Sequence, residues 1–234
     1  MPPKRKAIST NGELNSITTK KTRTTKKTQK TSKDQKSFDK VCQNWFNKYK
    51  DQDNTNIIGP DGCQTFFSDI DVSLESIFPI LIAWKMNCSR MGYITMEEWN
   101  HGMKESNESK LKKELNSLEK LVEKDESLFK KIYLYTFPYA KSEGQKSMQT
   151  EVAVALWQIL LVNRYPIVQS FIQFIEEKKP VKVINKDQWA SLLDFCKSIP
   201  EDLSGYDAVS SCFLIKEKLN HNISIGFGFP SLVS

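Results

Sequence analysis

At 234 residues the chain is long enough for one or two compact domains, and its charge is unevenly placed. Residues 1–36 carry eleven Lys and Arg against Glu13 and Asp34, a segment charge of +9. The rest holds 23 basic and 26 acidic side chains, or −3, so a body that binds nucleic acid by bulk positive charge is excluded. Five scattered cysteines without a CxxC pair suit a reducing compartment. His101 and His221 lack partners at zinc spacing, and no apolar run reaches the length of a membrane span.

Residues 1–36 are rich in Lys, Thr and Ser and too poor in large apolar side chains to order themselves, so a disordered basic tail is expected. The N-terminus has no apolar h-region, so no secretory signal is expected. Lys4, Arg5 and Lys6, followed by Lys20, Lys21, Arg23, Lys26 and Lys27, have the spacing of a bipartite nuclear-import signal. A solubilising or weakly nucleic-acid-binding tail has the same composition.

From about Ser37 the pattern turns helical. Phe38, Val41, Cys42, Trp45, Phe46 and Tyr49 follow one face of an amphipathic helix. Asp51, Asp53 and Thr55 then stand at positions 1, 3 and 5 of an EF-hand-length loop, with Ile58 at position 8. Position 12, where a calcium loop needs a bidentate carboxylate, is Gly62. Pro60 can open a short helix carrying Cys63, Phe66, Phe67 and Ile70. Residues 74–85 form a helix candidate that is apolar nearly all the way round, capped by Ser73 and awkward at Pro79, where it kinks or begins late.

A second EF-length loop runs over residues 87–98. Gly92 falls at position 6, Ile94 at position 8 and Glu98 at position 12, but positions 1, 3 and 5 are Asn87, Ser89 and Met91, with no carboxylate among them. The two loops share the parts of a calcium site and neither holds all of them, so no metal and no cofactor is expected. Helices are expected over residues 95–104, 110–123 (Leu111, Leu115, Leu118, Leu121 and Val122 inward), 128–141, 150–162, 166–177 and 185–199. Strand is expected only as two or three residues at the EF-like loops, which makes the body all-α.

Val183-Ile184-Asn185-Lys186-Asp187-Gln188-Trp189 echoes Tyr93-Ile94-Thr95-Met96-Glu97-Glu98-Trp99 position for position. In each, a capping residue precedes a Glu or Gln that can reach back to it, the capping-box pattern. Tandem EF-like pairs produce this spacing. Two ordinary capped helices, each with a Trp on the core face, would also do so. After residue 201 the sequence becomes turn-like, and residues 221–234, with Gly226, Gly228 and Pro230, look disordered.

These segments resemble the defective-in-cullin-neddylation (DCN-like) family. The resemblance runs in order through Gly59-Pro60-Asp61-Gly62, Leu81-Ile82-Ala83-Trp84-Lys85, Met91 to Trp99, Tyr139-Ala140-Lys141, Asn185 to Trp189 and Asp202-Leu203-Ser204-x-Tyr206-Asp207. With its basic N-terminus the chain is most similar to the nuclear branch numbered four and five in vertebrates. The division this implies is a disordered basic tail (1–36), a DCN-like helical domain (37–207) and a divergent C-terminus (208–234).

The resemblance implies a tandem EF-like helical domain without calcium, acting as a monomeric, non-catalytic scaffold-type co-ligase. Its partners would be cullins, the N-acetylated neddylation conjugating enzyme and the RING subunit of cullin ligases, with a nuclear and also cytoplasmic location. It assigns an acetyl-Met pocket to Cys63, Ile82, Ala83, Met86, Ile94, Tyr139, Leu156 and Ile159. From the residues alone, these eight read more readily as core than as a pocket. Ala83→Arg is expected to fill the pocket and leave the helical signal intact.

The cullin face implied by the resemblance is Asp187, Asp207 and, as a stand-in for a lost carboxylate, Glu217. Here the chain departs from the family, whose downstream stretch Tyr-Asp-Glu-Asp-Gly-Ala-Trp-Pro is replaced by Tyr206-Asp207-Ala208-Val209-Ser210-Ser211-Cys212-Phe213. The rival class is a calcium-responsive EF-hand protein that opens an apolar groove, and both loops count against it. A third reading, a helical DNA-associated protein, needs basic residues on the body, which is net acidic.

Overall fold

The computed structural model describes residues 40–104 and 106–198, and among these the protein is nine helices and four two-residue strands. In chain order they are α1 (40–47), β1 (Ile57–Ile58), α2 (Pro60–Asp69), α3 (Phe78–Met86), β2 (Ile94–Thr95) and α4 (Met96–Met103). There follow α5 (Glu108–Lys124), α6 (Glu126–Ala140), β3 (Met148–Gln149), α7 (Thr150–Leu160), α8 (Ile167–Lys178), β4 (Val183–Ile184) and α9 (Lys186–Ser198). Both ends of the sequence, with the import clusters, Asp207 and Glu217, lie outside the described residues.

Two quasi-equivalent halves emerge. In the first, β1 pairs antiparallel with β2 and Ile58 faces Ile94, each the eighth residue of its loop. In the second, β3 pairs with β4 and Met148 faces Ile184. All four of these residues are buried. Each half therefore joins two helix–loop–helix units through a short strand contact, as the echo of residues 93–99 in residues 183–189 implies. The partner strand Met148–Gln149 has no signature of its own in the sequence, being a single buried apolar residue between polar ones.

The repeat extends to side chains. Trp99 and Trp189, fully buried on α4 and α9, donate their indole N–H to the carbonyls of Cys42 (3.2 Å) and Tyr133 (2.9 Å). Each thus locks the last helix of its half onto the first. In the first half Trp45, Phe46 and Phe66 surround Trp99 edge-on at 5.1 to 5.8 Å. In the second, Trp189 lies between Tyr133 and Trp157, stacked at 4.6 and 5.6 Å. The helix α5 packs against α3 and α6 and links the halves.

Local sequence explains the helix starts. Pro60 opens α2 at its first turn. Asn107 and Asp125 cap α5 and α6. Glu126, at the start of α6, is paired with Arg164 and Lys197 (2.8 Å to Lys197), and Arg164 also lies over the Phe129 ring, 4.1 Å from its centroid. The Lys197 hydrogen bond, with the added charges of Lys197 and Arg164, holds the Glu126 carboxyl below its ordinary range.

The central helix begins late, at Phe78 rather than Leu74, as Pro79 allowed, with Ile77 at its N-cap; Pro79 sits in its first turn, where a missing donor is harmless. Two expectations need correction. Ser73 caps only the preceding turn, through Glu75 N–H to its hydroxyl at 3.2 Å, and Leu74 is left 53% exposed. Val41 and Leu121, placed inward by periodicity, are 51% and 52% exposed, because the buried stripes of α1 and α5 run through Cys42 and Phe46, and through Leu111, Leu115 and Val122.

Candidate functional site

The second EF-like loop is held in shape by its own hydrogen bonds. Gly92 takes φ +79°, the left-handed turn that the sixth position requires. Glu98 at position 12 spends both carboxylate oxygens on protein donors. One accepts from the backbone N–H and the hydroxyl of Ser89, each at 2.8 Å; the other accepts from Thr95 N–H at 2.8 Å. Thr95 returns a bond from Glu98 N–H at 3.2 Å, which completes the capping box. In the first loop Asp51 is occupied by the N–H groups of Asp53 and Asn54 at 2.8 and 3.2 Å.

Gly62, at position 12 of the first loop, has no space for any side chain: a Cβ there would stand 2.1 Å from the carbonyl oxygen of Tyr49. Among the described residues no group of three His, Cys, Asp or Glu side chains could hold a metal ion. Isothermal titration of chelator-treated protein with calcium is expected to give no binding heat. A micromolar dissociation constant would overturn the reading of these loops as purely structural.

The loop of the first half docks onto the end of α6 in the second. Met91 N–H donates to the Tyr139 carbonyl at 2.9 Å, Tyr135 hydroxyl donates to the Cys88 carbonyl at 2.6 Å, and the Cys63 thiol lies 3.5 Å from the Gly92 carbonyl. Arg90 lies over the Tyr93 ring at 3.9 Å and pairs with Glu143 at 3.1 Å. Cys63, Cys88 and Tyr139 are buried at this junction, and Tyr135 is half-buried. Burial pushes the Cys63 thiol up to about 12, and raises the Cys88 thiol and the Tyr139 and Tyr135 phenols as well.

At the far end of the second half, Asp187 is exposed on the first turn of α9. Its backbone is fixed by a reciprocal pair of bonds: Gln188 N–H to Asn185 Oδ1 at 2.8 Å, and Asn185 N–H to Gln188 Oε1 at 2.9 Å. Two residues on, the Trp189 carbonyl accepts from the buried Tyr133 hydroxyl at 2.8 Å.

Over residues 110–212 the chain matches the family model described as Cullin binding. It is 36% identical over 214 residues to DCN1-like protein 4 of Danio rerio, covering 88% of this chain and 75% of that protein. DCN1-like protein 4 of Homo sapiens is 34% identical over 216 residues, covering 88% of this chain and 72% of that protein. DCN1-like protein 5 of Homo sapiens is 36% identical over 171 residues, covering 72% and 70%. The chain belongs to the DCN1-like family.

In this DCN1-like chain the eight residues assigned to the acetyl-Met pocket fall on four helices and one strand. Cys63 lies on α2, Ile82, Ala83 and Met86 on α3, Ile94 on β2, Tyr139 on α6, and Leu156 and Ile159 on α7. Cys63 lies against the Gly92 carbonyl, the Tyr139 carbonyl accepts from Met91 N–H on the same loop, and Ile94 pairs with Ile58. Seven of the eight are buried, and Ile159 is half-buried. Ile159 also lines an open groove of about 570 Å³ with Ile77, Val122 and Phe129. Ala83 is 3% exposed within the helix packed on α4, α5 and α6. An arginine there would bury a charge in the core, so Ala83→Arg is expected to unfold the domain rather than leave its helical signal intact.

Of the cullin face only Asp187 can be placed. The contacts that join the halves, Met91 with Tyr139 and Arg90 with Glu143, were not read from the sequence. They link residues about fifty positions apart in loops with no local signature.

Proposed function

We propose that this protein is a non-catalytic co-ligase that promotes transfer of a ubiquitin-like modifier to cullins. It holds the cullin C-terminal region on the face that carries Asp187, and the acetylated N-terminus of the neddylation conjugating enzyme at the junction of the two halves. The acceleration comes from holding the reacting partners close. The carrying observation is an exposed, rigidly capped carboxylate, Asp187, inside the stretch that matches the Cullin binding family. The RING subunit of cullin ligases is a further proposed contact. Nuclear import through the two basic clusters of residues 4–6 and 20–27, and a monomeric state, belong to the same proposal.

The chemistry of the junction supports the acetyl-Met assignment. Surroundings that push a thiol up to about 12 disfavour charge. An acetylated terminus enters them as a neutral amide, whereas a free ammonium would be desolvated at a cost of several kcal/mol if unpaired. Met91→Arg is the suitable probe, since this 42% exposed side chain stands at the junction, where its N–H donates to the Tyr139 carbonyl. It is expected to cut affinity for an N-acetylated conjugating-enzyme peptide at least tenfold with the circular dichroism spectrum unchanged. Undiminished binding would place the peptide elsewhere.

Asp187→Lys tests the other face. Affinity for a cullin C-terminal fragment should fall at low salt, and the salt dependence should flatten, since a charge that steers the encounter has been reversed. If Asp187→Lys binds as well as the parent, this face does not hold the cullin.

A further inference from the structure

At the Asp187 end of the second half, α7 and α8 leave an open groove of about 920 Å³. Val154, Ala155, Ile175 and Val181 form its apolar floor, and Glu151, Glu176, Lys179 and Lys182 stand on its rim. Among the described residues none of these four exposed charges makes an ion pair. The wall at Val181 and Lys182 is pinned to the start of α7. Thr150 donates its N–H to the Lys182 carbonyl at 3.2 Å and its hydroxyl to the Val181 carbonyl at 3.0 Å. Five residues beyond Lys182 comes Asp187.

The chain itself supplies an occupant. It continues past Ser198 for 36 residues, which include Cys212-Phe213-Leu214-Ile215-Lys216-Glu217-Lys218-Leu219. This is an apolar run followed by alternating charge. It matches a groove whose floor is apolar and whose rim mixes two carboxylates with two ammonium groups. The reach is sufficient. α9 is 13 residues long and so spans about 20 Å. Residues 199–211, another thirteen, can extend about 43 Å, twice the distance back along α9 to the groove.

We propose that residues 212–219 dock in the α7–α8 groove of their own chain. Docking carries Glu217 to the end of the domain that bears Asp187. In that consequence for the cullin face, and only there, the inference rests on the proposed function.

A nitroxide on Cys212 of the full chain tests it without any partner. The four cysteines of the described residues are all buried, which leaves Cys212 to take the label. Amide signals of Val154, Ala155 and Ile175 are expected to lose most of their intensity, and Ala155→Arg, at an exposed position, is expected to restore them. With Cys212→Ser and Glu217→Cys, a label at position 217 is expected to broaden Asp187. No broadening in the groove, or broadening centred on the groove at Ile159, overturns the proposal. So does broadening that passes from labelled molecules to separate isotope-enriched ones, since the occupant would then be a second copy. None of these outcomes depends on cullin binding, so the proposed function can stand or fall separately.

Discussion

Gly62→Ala is expected to destabilise the domain by about 3 kcal/mol, at the upper end of the cost of overpacking a filled interior. The added Cβ would stand 2.1 Å from the Tyr49 carbonyl oxygen and 2.8 Å from Ile58 Cγ2. The first obstacle is backbone, and Tyr49 N–H and Lys50 N–H are themselves bonded to the Phe46 carbonyl at 3.0 and 3.1 Å, so the obstacle cannot swing away alone. In urea the unfolding midpoint should fall with an unchanged slope. Gly144→Ala is the contrast. It meets nothing within 4 Å but has φ +74°, and should cost only about 1 kcal/mol from the left-handed backbone. A Gly62→Ala loss no larger than that of Gly144→Ala would mean that the close approach relaxes freely. The same geometry bears on the absent calcium ligand: Gly62→Glu supplies the twelfth-position carboxylate on paper, yet its Cβ meets the same carbonyl, so the variant should lose stability and gain no calcium binding.

The sequence made visible what local chemistry controls. Pro60 at a helix start, the Thr95 and Glu98 capping box, its echo in Asn185 and Gln188, and a left-handed Gly92 all depend on residues within a few positions of one another, and all stand as expected. Failures came where a helix has more apolar residues than it can bury. α1 and α5 carry wide apolar stripes, and tertiary packing, not periodicity, decides that Val41 and Leu121 face outward. Ser73 failed as a helix cap for a related reason: with Pro79 two residues into the helix, the backbone before it is free to take a separate turn, and Ser73 serves that turn.

The candidate sites were legible to unequal degrees. Asp187 was, since its exposure follows from a capped first turn. The apolar junction was readable only as residues that read first as core, because burial and pocket lining demand the same side chains. Its joining contacts, Met91 to Tyr139 and Tyr135 to Cys88, use main-chain carbonyls that any sequence supplies.

Trp189→Ala is expected to cost about 4 kcal/mol, as for a large aromatic removed from a closed core. The indole is fully buried between Tyr133 and Trp157, with ring planes inclined by 12° and 18°, and donates to the Tyr133 carbonyl. Losing it removes the stack, one buried hydrogen bond and the filling of the α6–α9 contact. Trp99→Ala should cost a similar amount, because Trp99 makes the equivalent bond to Cys42 in the first half. The two differ in what they do to function. Trp189 lies two residues from Asp187, and its indole N–H bond to the Tyr133 carbonyl, which the substitution removes, ties that turn of α9 to α6 together with the Tyr133 hydroxyl bond to the main-chain carbonyl of residue 189. Under conditions where both variants remain folded, Trp189→Ala should therefore also weaken binding of the cullin fragment, while Trp99→Ala should not. Asp187→Ala should do the reverse of a core change, lowering cullin affinity with a shift in stability within about 0.5 kcal/mol, as for an exposed position. If Trp189→Ala and Trp99→Ala weaken cullin binding equally, the loss tracks stability alone, and the placement of Asp187 by the Tyr133–Trp189 contact is not what the cullin reads.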